Sequence, residues 1–257
     1  MSICRWLAVA FSLYSRIPMP RFDWREDDMA HSLLFFPFVG AVIGGVFVVA
    51  DVLAAHFGLP LLAHTLLLML VPIIITGGFH LDGYMDTEDA IRSYKTKEEK
   101  LEILKDPHIG AFAVIGLVRV LLFVAGAIAV LIDAGDLTAI RMLAISFFLS
   151  RILSGLTSIY MKKARQAGML HAEAGGVKAG VKAGLWIQLA VATGLLVYVN
   201  LIQAVILFSA FLASLLWYRY QSRRHYGGVT GDTAGRFVVS SETFAALMLA
   251  IAAKVIV

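Results

Sequence analysis

Seven long apolar stretches run along the chain, at 33–57, 61–79, 109–132, 137–160, 185–199, 202–218 and 237–257, with polar segments of unequal length between them. A helix needs about 20 apolar residues to cross a bilayer, and most of these stretches reach or approach that length. The fifth and sixth are the shortest and share a tight turn around Asn200, so one reading makes them a hairpin that only partly crosses. Residues 3–15 form a shorter apolar stretch flanked by Arg5 and Arg16. Pro18 and Pro20 follow it, where a signal peptide would show a small-residue cleavage site. The expected element is a helix lying in the membrane interface. The pattern predicts an all-α, polytopic integral membrane helical bundle of about seven transmembrane helices with an N-terminal interfacial helix, forming a single transmembrane domain over 1–257.

Composition agrees: 60% of residues are hydrophobic, 16% are charged and mean hydropathy is +0.82, well beyond a soluble domain. The 22 glycines suit closely packed membrane helices. A single cysteine, Cys4, excludes an internal disulfide and a thiolate metal site. A sequence pI near 9.2 would fit nucleic acid, but the basic residues have a topological explanation. They gather in the N-terminal segment (Arg5, Arg16, Arg21, Arg25) and in the loops at 80–108, 161–184 and 219–236. The connections at 58–60, 133–136 and 200–201 have no Lys or Arg. The positive-inside rule then puts all long polar loops and the N-terminus in the cytoplasm. The expected location is the cell (inner) membrane, multi-pass, with the active site facing the cytoplasm.

The chemistry-bearing residues fall in those loops. His80-Leu81-Asp82-Gly83-Tyr84-Met85-Asp86-Thr87-Glu88-Asp89 crowds four carboxylates directly after a charge-free run. On a helix Asp82, Asp86 and Asp89 fall at about 0°, 40° and −20°, one face, with Glu88 turned away at about 240°. Three like charges on one face repel unless a cation sits among them. All-oxygen ligands suit Mg²⁺ or Mn²⁺. The blander reading is a solvated acidic helix start. Residues 97–105 read as a short amphipathic surface helix whose charges, apart from Lys105, are solvated. Asp106 before Pro107 is either an N-cap of the third span or a site residue. The segment Tyr226-Gly227-Gly228-Val229-Thr230-Gly231-Asp232-Thr233 reads either as a phosphate cradle behind Arg223, Arg224 and His225, or as a turn capped by Thr230 or Asp232. Asp232 favours a further metal contact over a bare phosphate nest. Within the spans lie Asp51, Arg119, Arg151 and Glu242. The last pair either neutralise each other or serve the site.

These motifs resemble the cobalamin synthase (adenosylcobinamide-GDP ribazoletransferase) family of late vitamin B12 assembly. The resemblance rests on Phe11-Ser12-Leu13-Tyr14-Ser15-Arg16-Ile17-Pro18-Met19-Pro20, Phe36-Pro37-Phe38-Val39-Gly40, Gly77-Gly78-Phe79-His80-Leu81-Asp82-Gly83 with Asp86-Thr87 and Asp89, Leu101-Glu102-Ile103-Leu104-Lys105-Asp106, Ser150-Arg151, and Gly227-Gly228-Val229-Thr230-Gly231-Asp232-Thr233. Ala90, Pro107-His108 and Arg236 depart from the family pattern, and none of these removes a carboxylate. The resemblance implies a Mg²⁺-dependent membrane transferase joining α-ribazole, or its 5′-phosphate, to adenosylcobinamide-GDP with release of GMP. Asp82, Asp86, Asp89 and Asp232 would hold metal. His80 or a free carboxylate would take the hydroxyl proton. Lys105, Asp106, Arg151, Arg223, Arg224, Thr230 and Gly231 would face substrate. The lipid bilayer is the other partner; nucleic acid is not expected, and a homo-oligomer stays open. Two alternatives compete: a CDP-alcohol-type phosphotransferase of lipid synthesis, whose signature fails because Phe79 stands three before Asp82, and a cation transporter, which would want its acids at mid-membrane. A structural scaffold would leave the one-faced aspartates unexplained.

The topology is tested by replacing Cys4 and placing single cysteines at positions 59, 135 or 200. They should label with an impermeant reagent in sealed cells, whereas labelling at 98 or 170 from outside would overturn the arrangement.

Overall fold

The computed structural model describes residues 2–20, 22–165 and 169–255. Among them the chain forms α1 (Ser2–Tyr14), α2 (Glu26–Ser32), α3 (Phe36–His56), α4 (Leu61–Thr76), α5 (Phe79–Arg92), α6 (Lys97–Ile103), α7 (Ala111–Asp133), α8 (Leu137–Tyr160), α9 (Met169–Ala174), α10 (Ala179–Val199), α11 (Leu201–Tyr226) and α12 (Gly231–Val255). Six helices are long and apolar enough to cross a membrane, or seven when the bent pair α4–α5 counts as one. The outer faces of α3, α7, α10 and α11 expose large apolar side chains such as Val49, Leu122, Ile187 and Leu212. This is the lipid-facing surface of a polytopic bundle.

α8 is the hub. It is the most buried of the spans and packs on α3, α10 and α12. α3 lies so close to α8 that a Cβ on Gly44 would stand 2.3 Å from the Ala144 carbonyl oxygen. Small residues at one helical spacing, Gly40 and Gly44, create that approach, as in other membrane helix pairs.

The second span ends earlier than its apolar run. Gly77 and Gly78 both adopt positive φ, 64° and 81°, a conformation cheap only for glycine. The chain turns by 93° between α4 and α5. Phe79 therefore opens α5 and does not close the span. α4 carries the apolar part of the run, and the acidic α5 packs across α7 and α12.

Two further expectations need correction. The fifth and sixth stretches are not a partial hairpin. α10 begins at Ala179 and α11 runs on through the basic residues to Tyr226, so each is long enough to cross. The glycine-rich segment is not a free loop either: helix α12 starts at Gly231, and Val229 pairs with Lys163 in a parallel bridge. The surface helix α6 forms as the pattern predicts, except that Lys100 is buried, with its Nζ 3.0 Å from His225 Nδ1.

Replacing Gly44 by Leu should force α3 off α8 and cost about 3 kcal/mol, the upper range for overpacking. A lowered unfolding midpoint of the detergent-purified variant checks it, and an unchanged midpoint would show that the helices can part cheaply.

Candidate active site

The site grows from the crossing of α5 over the first turn of α12. A Cβ on Gly83 would lie 2.8 Å from Asp232 Cα, so the absence of a side chain lets α5 settle directly on α12. That contact brings Asp82 and Asp86 beside Asp232, which sequence separation alone would keep apart. Asp82 is exposed, while Asp86 and Asp232 are half-buried. The Asp86 carboxyl is pushed up to about 6 by burial and by the charges of Asp82, Asp232 and Asp89. A cation would relieve that crowding. Among the described residues, no three His, Cys, Asp or Glu side chains already converge at metal-binding range. The acids form an open rim and not a closed cage. That suits Mg²⁺, which commonly takes one or two carboxylates and completes its shell with water and substrate phosphate.

One of the predicted one-face residues, Asp89, has other neighbours. Both oxygens of Asp89 accept backbone N–H bonds from the start of α7, Gly110 at 2.7 Å and Ala113 at 2.9 Å. Asp89, and not Asp106, caps the third apolar span. Asp106 is exposed and accepts from the His108 backbone N–H at 3.0 Å. Glu88 does turn away from the aspartates, as the helical spacing predicts, but it is not idle. It is 2% exposed and pairs with Arg236 at 2.7 Å, Arg119 at 2.8 Å and Arg92 at 3.2 Å. Burial alone would raise its pKa, yet Arg236 and Arg119 hold it below the usual glutamate value. This pairing ties α5 to α7 and α12 and fixes which face of α5 carries the aspartates.

His80 points the other way, into the bundle. Its ring packs against Phe36 and Tyr14 at 5.6 and 6.4 Å between centroids. Its Nε2 has no hydrogen-bond partner among the described residues. It shares a small core cavity of about 90 Å³ with Arg151 and Glu242. Arg151 and Glu242 pair at 2.7 Å, the mutual neutralisation weighed from sequence. Thr230 caps α12, its Oγ1 accepting from the Thr233 backbone N–H at 3.2 Å. The amides of Gly228 and Val229 donate to Ser222 and Lys162 and that of Thr230 donates to Thr233, so none of the three is turned to an anion. The cap reading fits this segment better than the cradle.

Two cavities flank the carboxylates. One, of about 590 Å³, lies where α1 meets the α4–α5 bend and is lined by Arg16, Gly77, Gly78 and Asp82. The other, of about 230 Å³, is lined by Lys163, Arg165, His171, Thr230, Gly231 and Asp232. Asp86 interacts electrostatically with the acids of both. Lys105, Asp106, Arg223 and Arg224 line neither. Lys105 pairs with Glu102 at 2.6 Å, and Arg224 donates to the Tyr220 hydroxyl. The cations that line these cavities are Arg16, Lys163 and Arg165, whose charge in the sequence points first to topology. For Arg16 a signal existed in the Ser15-Arg16-Ile17-Pro18 run. For Lys163 and Arg165 there was none beyond loop charge.

An apolar helical bundle carrying an acidic site flanked by two cavities that each hold a basic side chain defines a polytopic membrane protein with an enzyme-like site. The chain matches the family model described as Cobalamin-5-phosphate synthase over residues 6–250, and it belongs to that family. It is 38% identical over 257 residues to the adenosylcobinamide-GDP ribazoletransferase of Lachnoclostridium phytofermentans, covering 98% of this chain and 97% of that protein. It is 30% identical over 247 residues to the enzyme of the same name from Clostridium perfringens, with 95% and 96% coverage. The Pseudomonas fluorescens enzyme of that name is 33% identical over 234 residues, with 90% and 91% coverage. No solved structure matches the chain. The family match favours neither a lipid phosphotransferase nor a transporter.

Glu88→Gln should destabilise the fold by about 2–3 kcal/mol, below the usual cost of breaking a buried pair because Arg92 and Arg119 are partly solvated. Asp86→Asn should leave the metal-free protein as stable as the parent or more so, since it removes a repelled charge. Unfolding midpoints in chelator compare the two, and an Asp86 variant that melts far below the Glu88 variant would contradict this electrostatic division.

Proposed function

We propose that this chain joins α-ribazole, or its 5′-phosphate, to adenosylcobinamide-GDP with release of GMP, at a Mg²⁺ site on the cytoplasmic face of the inner membrane. The observation that carries the reading is the Gly83–Asp232 contact, which gathers carboxylates from two distant segments between two cavities lined in part by Arg16, Lys163 and Arg165. Asp82, Asp86 and Asp232 are the residues that would hold Mg²⁺, with Mn²⁺ as the nearest substitute. When bound, the metal supplies charge neutralisation for a pyrophosphate and its departing phosphate.

The chain's own residues do the rest. Arg16 in the first cavity and Lys163 and Arg165 in the second bind phosphate oxygens of the reactants entering from either side. The ribazole hydroxyl oxygen attacks the phosphorus attached to cobinamide, the bond from that phosphorus to the GMP oxygen breaks, and GMP leaves. Because the His80 ring is turned into the core, a carboxylate of the acidic rim is the better placed acceptor for the hydroxyl proton. Asp89 acts as a positioning residue through α7. The cytoplasmic orientation is supported by the Lys/Arg content of the loops at this end.

GMP release by the purified full-length protein tests the proposal. Activity should vanish with chelator and return with Mg²⁺ or Mn²⁺. Asp82→Asn, Asp86→Asn and Asp232→Asn should each lower kcat roughly a thousandfold, the cost of several kcal/mol at the transition state. Near-normal release from these variants, or full activity without a divalent cation, would overturn the metal site.

A further inference from the structure

Between α11 and α12 lies a cavity of about 350 Å³ that the carboxylate site does not use. Its size falls in the range of small-molecule pockets. Its walls are aromatic: Trp217, Tyr218 and Tyr226 from α11, Phe237 and Phe244 from α12. The rings of Tyr218 and Phe237 stack at 4.9 Å between centroids. Polar groups interrupt these walls, namely Gln221, Ser222, Thr233, Arg236 and Ser240.

Two of the polar atoms are unsatisfied. Tyr218 and Ser222 are 5% and 1% exposed, and neither hydroxyl has a hydrogen-bond partner among the described residues. The Thr233 and Ser222 hydroxyls stand near that of Tyr218 without reaching hydrogen-bond geometry. Buried polar groups left unpaired cost free energy. A bare apolar groove would not carry them, and a lipid chain lying there would leave them unpaired.

The cavity also adjoins the acidic site. The Tyr226 hydroxyl donates to the Thr87 carbonyl oxygen at 3.4 Å, and Arg236 bonds Glu88 at 2.7 Å. Thr87 follows Asp86 and Thr233 follows Asp232 in the chain.

We propose that this cavity receives the planar heteroaromatic base of a nucleosidic substrate, with the sugar and phosphate passing Tyr226 toward Asp86 and Asp232. The inference rests on the ribazole-transfer reading above, in which each reactant carries such a base, a benzimidazole on one and a guanine on the other. The aromatic walls stack on the faces of the ring. The amide of Gln221 meets its edge, and the hydroxyls of Tyr218 and Ser222, closed off within the wall of the cavity, rotate to complete that edge.

Full-length protein in nanodiscs tests this with three variants. Ser240→Phe fills the cavity; Tyr218→Phe and Ser222→Ala remove a hydroxyl without adding bulk. KM and kcat are measured by GMP release with each reactant varied in turn. Ser240→Phe should raise KM for one reactant about tenfold or more and leave the other within about twofold, and Tyr218→Phe should raise the same KM by about threefold. A rise confined to α-ribazole assigns the cavity to benzimidazole; a rise confined to adenosylcobinamide-GDP assigns it to guanine. If the parent is active and all folded variants keep both KM values within about twofold, the inference is overturned, as it is if Ser240→Phe only displaces co-purified phospholipid. Should Ser240→Phe fail to fold, the two hydroxyl variants decide alone. If the parent releases no GMP, the ribazole-transfer reading fails separately. Calorimetric titration of parent and Tyr218→Phe with α-ribazole and with GMP then settles the cavity: weaker binding of either one by the variant supports it, and equal or absent binding of both overturns it.

Discussion

One buried glutamate determines how the acidic helix meets the bundle. Glu88 faces Arg236 of α12 and Arg119 of α7, so its charge is neutralised only while α5 lies across both helices. An unpaired carboxylate at that depth would be costly. The ion pairs therefore act as a register lock. With Glu88 turned inward, helical geometry turns Asp82 and Asp86 outward, and the Gly83 contact then brings Asp232 to them. Without the inward charge, the outward ones would have no fixed partner.

A second constraint works on the same helix from its ends. The paired glycines at 77 and 78 supply the turn, and Arg16 folds over Gly77, where a Cβ would stand 2.4 Å from its Nε. At the other end Asp89 caps α7. One short helix is thus held by a turn, an ionic lock and a cap, each from a different part of the chain. This explains why a 14-residue polar helix keeps a single orientation at a surface where its own helical propensity would be marginal.

Much of this was legible in the sequence, because bilayer crossing imposes a strong one-dimensional signal. The span at 137–160 matches α8 to the residue. The helical placement of the aspartates, with Glu88 facing away, followed from a period of 3.6. What spacing could not carry was what lies opposite each face. Glu88 pointing away from the aspartates meant pointing at three arginines, two of them more than 30 and 140 residues distant. Asp89 shares the aspartate face yet reaches an N-terminus that only tertiary contact supplies. His80 stands two residues from Asp82, which on a helix is the opposite side. The glycine-rich segment read as a loop because glycine propensity is local, whereas the helix start at Gly231 depends on the cap that Thr230 makes. Lys163 and Arg165 became neighbours of Asp232 through a two-residue bridge to Val229, which no periodic signal announces.

The right-angle turn after α4 has a kinetic meaning as well as a geometric one. A straight continuation would have carried Asp89 about 20 Å beyond the end of α4 along the helix axis, at 1.5 Å per residue, and spread the aspartates away from α12. Turned through 93°, α5 instead keeps them against α7 and α12. Any reactant that partitions into the bilayer then reaches them by lateral diffusion, and its effective supply is set by its number per unit of membrane area, while a water-soluble reactant arrives from the third dimension. Encounter at such a site follows two concentration scales at once, and dilution of the surrounding water changes only one of them.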